Sequence, residues 1–288
     1  VETKPKRRKN MALLQANFMS RSLMRTVPVN IILPVDKLAF PGTAPREATS
    51  YKTLYLLHGI FGNYMDWVSG TNIQRWAEEK DLAVVMPSGD NMFYVDQRES
   101  LNRYGEFIGK ELVELTRKAF PLSHRREDTF IAGLSMGGYG AMRNGLKYHD
   151  TFGYIAGLSA AMPVEGLEER TNDTPVDINR RDFAESIFGD LRKVKDSDMN
   201  PKWLVERLKE QGAELPKMYL ACGIGDSLLE PGREMRDYLR QAGMDVTYEE
   251  GPGGHEWDFW NRYIKKVLDW LPLQEEAEAG ISSGNVGI

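Results

Sequence analysis

The 288-residue chain has one cysteine, Cys222, and four histidines. A lone cysteine cannot close an internal disulfide, and histidines without paired spacing supply no structural zinc site, so no metal is expected. Long apolar runs are missing too. The longest uncharged stretches, 129–142 and 151–164, each hold 14 residues, short of the roughly 18 that a membrane-spanning helix needs. There is no basic excess: 37 lysines and arginines face 42 acidic side chains, a net charge of −5. A nucleic-acid binder needs a concentrated basic face. Disulfide scaffolds, zinc modules, membrane proteins and nucleic-acid partners are therefore excluded. What remains is ordinary for a globular protein with a sizeable core, 41% hydrophobic and 27% charged. The expected location is cytoplasmic, and homo-oligomerisation is left open.

Both ends read as lying outside the fold. Lys4, Lys6, Arg7, Arg8 and Lys9 cluster ahead of Met11. Residues 1–10 are expected to be a disordered extension upstream of a natural start. A signal peptide fits poorly, because residues 11–20 carry Gln15 and Asn17 and no small-residue cleavage pattern follows. Residues 274–288, acidic and then Gly/Ser-rich, are expected to form a disordered tail. A single domain is expected between them, over 11–273.

Within it, strand-like and helix-like segments alternate. Residues 27–33, 53–57, 82–86, 129–134, 153–158, 217–222 and 245–249 are short and rich in apolar or β-branched side chains. Three of them, 53–57, 82–86 and 129–134, are nearly all apolar, as strands buried on both faces of a parallel sheet should be. Helices are expected at 73–80 (with Thr71 and Gln74 spaced as a capping box), 106–120, from Asn200-Pro201 onward, 229–241 and 256–271. The alternation predicts an α/β fold with a mostly parallel central sheet flanked by helices. Residues 160–202 break the rhythm; polar and long, they read as a small cap insertion.

The strongest chemical signal is Gly133-Leu134-Ser135-Met136-Gly137, between an apolar strand and a helix-compatible stretch. In G-x-S-x-G the glycines let a tight strand-to-helix turn close. The serine is left protruding near the positive end of the following helix. A serine hydroxyl needs a base, and the base needs an orienting acid. His255 follows a flexible Gly251-Pro252-Gly253-Gly254 loop after the last predicted strand, where ligands meet open α/β sheets. His124 and His149, in polar surroundings, read as solvent-facing. The acid should fall between serine and histidine in the chain, and Asp226, directly after the strand 217–222, is the candidate. Gly223-x-Gly225 is a poor dinucleotide fingerprint, as the third glycine is missing. An oxyanion hole needs two amides. One should come from Met136 and one from the loop after 53–57, where Ile60 or Phe61 could offer it and His58 braces the turn. Phe61, Trp67, Phe93, Tyr94 and Trp257 are candidate walls of a substrate pocket, and Trp260 and Tyr263 read as core.

His58-Gly59-x-x-Gly62-Asn63, Trp67, Val84-Val85-Met86-Pro87, Gly133–Gly140 and Gly254-His255-x-Trp257 resemble the esterase D-like family of α/β-hydrolases. That family includes tributyrin esterases, S-formylglutathione hydrolases, feruloyl and acetyl-xylan esterases and mycolyltransferases. The resemblance runs from about residue 12 to 271 and looks nearest to tributyrin-type short-chain esterases. It implies a triad of Ser135, Asp226 and His255, an oxyanion hole of the Ile60 and Met136 amides, and no cofactor. The expected activity is hydrolysis of a small-molecule short-chain ester through an acyl-enzyme. A thioesterase, a feruloyl or acetyl-xylan esterase, or an acyltransferase on the same triad is the alternative.

Overall fold

Strands read from apolar runs must bury side chains on both faces, and the alternation of neighbours shows that they do. In the computed structural model, residues 12–35, 50–97 and 100–273 are described; the expectations for residues 1–10 and 274–288 lie outside the described residues. The strands are β1 (Ala12–Ser20), β2 (Arg25–Leu33), β3 (Lys52–Leu57), β4 (Leu82–Pro87), β5 (Asp96–Gln97), β6 (Asn102–Arg103), β7 (Thr129–Leu134), β8 (Tyr154–Leu158), β9 (Lys217–Gly223) and β10 (Val246–Gly251). Leu54 and Leu56 of β3 enter one core and Tyr55 and Leu57 the other. Phe130, Ala132 and Leu134 of β7 likewise oppose Ile131. This is the period of two that a pleated strand imposes.

Eight strands form one sheet in the order β1-β2-β4-β3-β7-β8-β9-β10. From β4 to β10 the pairs are parallel, while β2 runs antiparallel to β4 and β1 to β2. The fold is an α/β-hydrolase sheet. The strand β1 is not anticipated by the sequence reading. It lies at the sheet edge with Leu13, Leu14 and Met19 exposed and only Ala16 and Phe18 packed on the core, so its apolar pattern is blurred.

The helices are α1 (Asp66–Gly70), α2 (Ile73–Glu79), α3 (Tyr104–Glu106), α4 (Leu112–Ala119), α5 (Met136–Lys147), α6 (Arg181–Phe188), α7 (Pro201–Glu210), α8 (Leu229–Gln241) and α9 (Trp257–Trp270). Helices α4, α5, α7 and α8 cover one face of the sheet, and α2 and α9 the other. A π-helical turn at Phe107–Glu111 joins α3 to α4. Its wider i→i+5 spacing places Phe107 and Leu112 in the same core. Helix α9 buries Phe259, Trp260, Tyr263, Ile264, Val267 and Leu268, each worth about 1.5–3 kcal/mol when fully removed from water. It stops at Leu271, extended at ψ 149°, because Pro272 disfavours a helical predecessor.

Asn200 caps α7 as its sequence suggests, its side chain accepting from the Lys202 amide at 3.0 Å ahead of Pro201. The capping box expected at Thr71 and Gln74 does not form. Asn72 holds the cap position without a side-chain bond. The Thr71 hydroxyl instead donates to the Trp67 carbonyl at 2.5 Å and accepts from the Ile73 amide at 3.1 Å, tying α1 to α2.

Residues 160–202 carry α6 and short 3-10 turns. Leu167, Ala184, Ile187, Phe188 and Leu191 of this segment cluster with Val95 and Tyr139. Arg143 of α5, fully buried, fastens it. The guanidinium donates to the Asp198 carbonyl (3.0 Å) and carboxylate (2.9 Å) and meets Asp96 at 3.1 Å.

Candidate active site

Parallel strands deliver their following loops to one edge of the sheet, so the segments after β3, β7, β9 and β10 converge there. At the end of β7 the backbone must turn sharply into α5. Ser135 takes φ 52°, ψ −118° at that turn, a conformation costing on the order of 1–3 kcal/mol in a residue with a side chain. Close approach explains the flanking glycines. A Cβ on Gly133 would stand 2.3 Å from Gly137, and one on Gly137 would stand 2.4 Å from the Leu57 carbonyl oxygen. The Ser135 amide donates to the Leu158 carbonyl at 2.9 Å, which clamps the turn against β8.

The loops after β9 and β10 are bonded to each other. The Ile224 amide donates to Gly251 O at 2.9 Å and the Gly225 amide to Gly253 O at 3.0 Å. This pairing sets Asp226 beside His255. The Ser135 hydroxyl lies 3.0 Å from His255 Nε2, and His255 Nδ1 lies 2.9 Å from Asp226 Oδ2. A carboxylate only accepts, so Nδ1 of the neutral ring carries the proton and Nε2 is left to accept from the serine. The Asp226 side chain is fully buried and that of His255 is 37% exposed. Burial pushes the Asp226 carboxyl up, but hydrogen bonds from His255, the Leu228 amide and Ser159 outweigh it and hold the group below its ordinary value. It is the acidic member of this chain that stays ionised.

Among the amides with no acceptor in the described residues are those of Met136, first residue of α5, and Ile60, in the loop after β3. The Phe61 amide, the second choice from sequence, is spent, because it donates to Asn91 Oδ1 at 2.8 Å. His58 braces this loop through both ring nitrogens. Nδ1 donates to the Gly59 carbonyl (2.6 Å), and Nε2 accepts from the Gly89 amide (2.8 Å). Burial pulls its pKa down, which keeps the ring neutral.

The aromatic candidates divide. Phe61 stands at the rim, 74% exposed. Phe93 is half-buried against Tyr139 and Phe188. Trp257 is half-buried between Trp67 and Trp260, edge to face with each. Trp67 and Tyr94 do not wall a pocket. Both are buried, with Trp67 Nε1 donating to Leu57 O at 3.0 Å and the Tyr94 hydroxyl to His58 O at 3.0 Å. Aromatic residues near a motif give no sequence sign of whether they point toward solvent or core. His124 is exposed, but His149 is half-buried beside Asp150 at 3.3 Å. Three residues here went unassigned in sequence: Asn91, Ser159 and, as more than core, Trp260. Asn91 was signalled only by its place after β4.

A cavity of about 190 Å³ is lined by Tyr139, Met162, Val164, Pro201, Pro231 and Met235 among others. It adjoins the serine turn: the Tyr139 amide and that of Ala161, next to Met162, both donate to the Ser135 carbonyl, at 3.1 and 3.0 Å. Neither this cavity nor a larger one of about 1090 Å³, walled by charged groups such as Lys110, Lys147 and Asp198, is lined by Ser135, His255 or Asp226.

The model of the Esterase family matches residues 20–271. An acetyl esterase of Caldicellulosiruptor saccharolyticus is 43% identical over 261 residues, covering 91% of this chain and 98% of its own. Among solved structures, an S-formylglutathione hydrolase of Staphylococcus aureus superposes with TM-score 0.77 at 31% identity, over 91% of this chain and 99% of that one. FphF, a fluorophosphonate-binding serine hydrolase of the same organism, gives TM-score 0.78 at 30% identity, over 91% and 98%.

Proposed function

This chain belongs to the Esterase family and is a serine hydrolase acting on ester bonds, and from that premise we propose that it cleaves short-chain acyl esters, acetyl esters foremost, on Ser135. The observation that carries the reading is the hydrogen-bonded chain Ser135–His255–Asp226, with its 3.0 and 2.9 Å links. In the proposed cycle Ser135 Oγ attacks the ester carbonyl carbon as His255 Nε2 takes its proton. Asp226 holds the ring in the Nδ1–H tautomer and offsets the charge it gains. The oxyanion lies where the Ile60 and Met136 amides, free of other acceptors, and the N-terminus of α5 favour negative charge. Collapse breaks the bond to the alcohol, which leaves with the proton from His255. Water then gives a proton to the same nitrogen as it attacks the acyl carbon, and the second collapse breaks the bond to Ser135 Oγ, which takes that proton back as the acid leaves.

The small acyl preference is supported by the acetyl esterase relative, 43% identical over 91% of this chain. The test is a panel of nitrophenyl acetate, butyrate and octanoate with one glutathione thioester and one feruloyl ester. The expected order in kcat/KM is acetate or butyrate well ahead of octanoate. A thioester turned over faster than every oxygen ester would overturn the substrate assignment in favour of thioester hydrolysis. No turnover of any substrate would overturn the esterase reading itself.

A further inference from the structure

Beneath the triad lies a buried hydroxyl that the reaction does not consume. Ser159 directly follows β8, is fully buried and takes φ 44°, a left-handed backbone rare for a residue with a side chain. Its amide is fixed by the Ala221 carbonyl at 2.8 Å. Its Oγ accepts from Trp260 Nε1 at 3.2 Å, in a buried contact. An indole N–H can only donate, so this bond occupies a lone pair of the hydroxyl and leaves its single proton for another acceptor. Two acceptors adjoin it, the Cys222 sulfur and the Asp226 carboxylate, whose ionised form Ser159 supports together with His255 and the Leu228 amide; the carboxylate, as the charged one, is the stronger. The other face of the same tryptophan meets the base. The Trp260 and His255 rings stand edge to face with centroids 5.0 Å apart. Behind Trp260, Trp257 and Trp67 continue the column at 5.2 and 5.7 Å, and the column ends in the bond from Trp67 to Leu57.

We infer that Ser159 and Trp260 form one positioning unit for the triad: Trp260 orients the Ser159 hydroxyl toward Asp226 and bears on the His255 ring, so that acid and base are held by the same two side chains. The unit explains why a strained serine is kept at a site where glycine would relax the backbone, since only a hydroxyl can accept from the indole and donate to the carboxylate at once. It acts through Asp226 and touches no substrate. The titratable groups around it are Asp226, the Cys222 thiol of β9, pushed up to about 12 by burial and the nearby Asp226, and, on the histidine's own loop, Glu256, whose carboxylate accepts from the Gly254 amide.

The inference rests on the esterase reading, and its test separates the two. Ser159→Ala, Trp260→Phe and the double variant are compared with the wild type in kcat, KM, melting temperature and pH profile, and the His255 ring is followed by NMR titration without substrate. Trp260→Phe keeps a ring against His255 and removes only the N–H. Ser159→Ala should lower kcat about tenfold, the worth of a hydrogen bond to a charged group, with KM little changed. Loss of the hydroxyl dipole facing Asp226 strengthens the carboxylate's hold on the imidazolium. Both the acid limb of kcat/KM and the NMR titration of His255 should therefore move to higher pH. Trp260→Phe should move them in the same direction by less, and the double variant should cost no more than Ser159→Ala alone, as for groups acting in series. A lowered melting temperature with kcat and the His255 titration unmoved would overturn the inference. So would losses that multiply in the double variant. Failure of the wild type to turn over esters would count against the esterase reading, while the titration would still decide the role of Ser159.

Discussion

At the N-terminal ends of the parallel strands, charges are paired between elements: Lys52 with Asp128 at 3.3 Å, Lys80 with Asp269 at 2.9 Å, and Arg126 with Glu214 at 2.6 Å. At the C-terminal ends the backbone is strained instead. Phe61, Asp90, Phe93, Tyr94, Ser135 and Ser159 all hold positive φ in the loops that follow β3, β4, β7 and β8, whereas among the described non-glycine residues only Asp81 does so just ahead of a parallel strand. The same six strands thus end in two kinds of surface. One is relaxed and held by partly exposed ion pairs, each worth about 1 kcal/mol. The other holds side chains in conformations costing on the order of 1–3 kcal/mol each, and there the serine, the histidine and the free amides meet. A rigid sheet buried on both faces makes that strain tolerable, because the loops cannot relax without pulling on β3, β7 and β9.

The comparison is sharpest where one edge can be altered without the other. Replacing Ser135 with Ala should lower kcat by about 10⁵–10⁶ with urea unfolding essentially unchanged, and Asp226→Asn should lower kcat by about 10⁴. Near-full activity in Asp226→Asn would mean that another carboxylate orients the base.

Between the two edges lies the Arg143 cluster, which should affect stability first. Arg143→Met leaves Asp96 and Asp198 without their buried partner and should cost about 3–5 kcal/mol in urea denaturation. Burial pushes both carboxyls up, but Arg143 and Lys147 outweigh it and hold them below 3.8. Carboxyls depressed in the folded state contribute stability that is complete above the unfolded value and lost as pH falls through the folded one. Asp198→Asn should therefore flatten the fall in stability below about pH 4, and an unchanged acid limb would show that the cluster does not govern it.

The smallest effect is expected at the relaxed edge. Arg126 also donates to the His149 and Glu214 carbonyls, at 2.6 and 3.1 Å, so Arg126→Lys is the milder probe there. It should lower stability by about 1 kcal/mol or less and leave kcat/KM at the wild-type value. A marked loss of activity would show that the two edges are coupled through the sheet.

Much of this was legible in the sequence because it depends on period and punctuation. Uniformly apolar strands such as 53–57 and 129–134 announce burial on both faces, and Gly133 and Gly137 announce a tight turn around Ser135. Chain order pointed to His255 and Asp226. What could not be read depends on direction in space. Strand β1 exposes Leu13 and Leu14 at a sheet edge, so hydrophobicity misreports its burial. Trp67 and Tyr94 turn their polar atoms inward to carbonyls of Leu57 and His58, which composition does not reveal. Phe61, Phe93 and Tyr94 adopt a left-handed backbone that bulky residues do not advertise, and the part of Ser159 depends on an indole 101 residues away in sequence.

The central claim is that the strained edge holds a single activated nucleophile, and covalent labelling tests it most directly. A fluorophosphonate probe is incubated with the wild type, Ser135→Ala and His255→Ala, and the labelled peptides are mapped by mass spectrometry. The account predicts one adduct per chain, on the peptide containing Ser135, formed far more slowly without His255 and absent without Ser135. An adduct on any other serine, Ser159 included, or labelling that persists in Ser135→Ala, would contradict it.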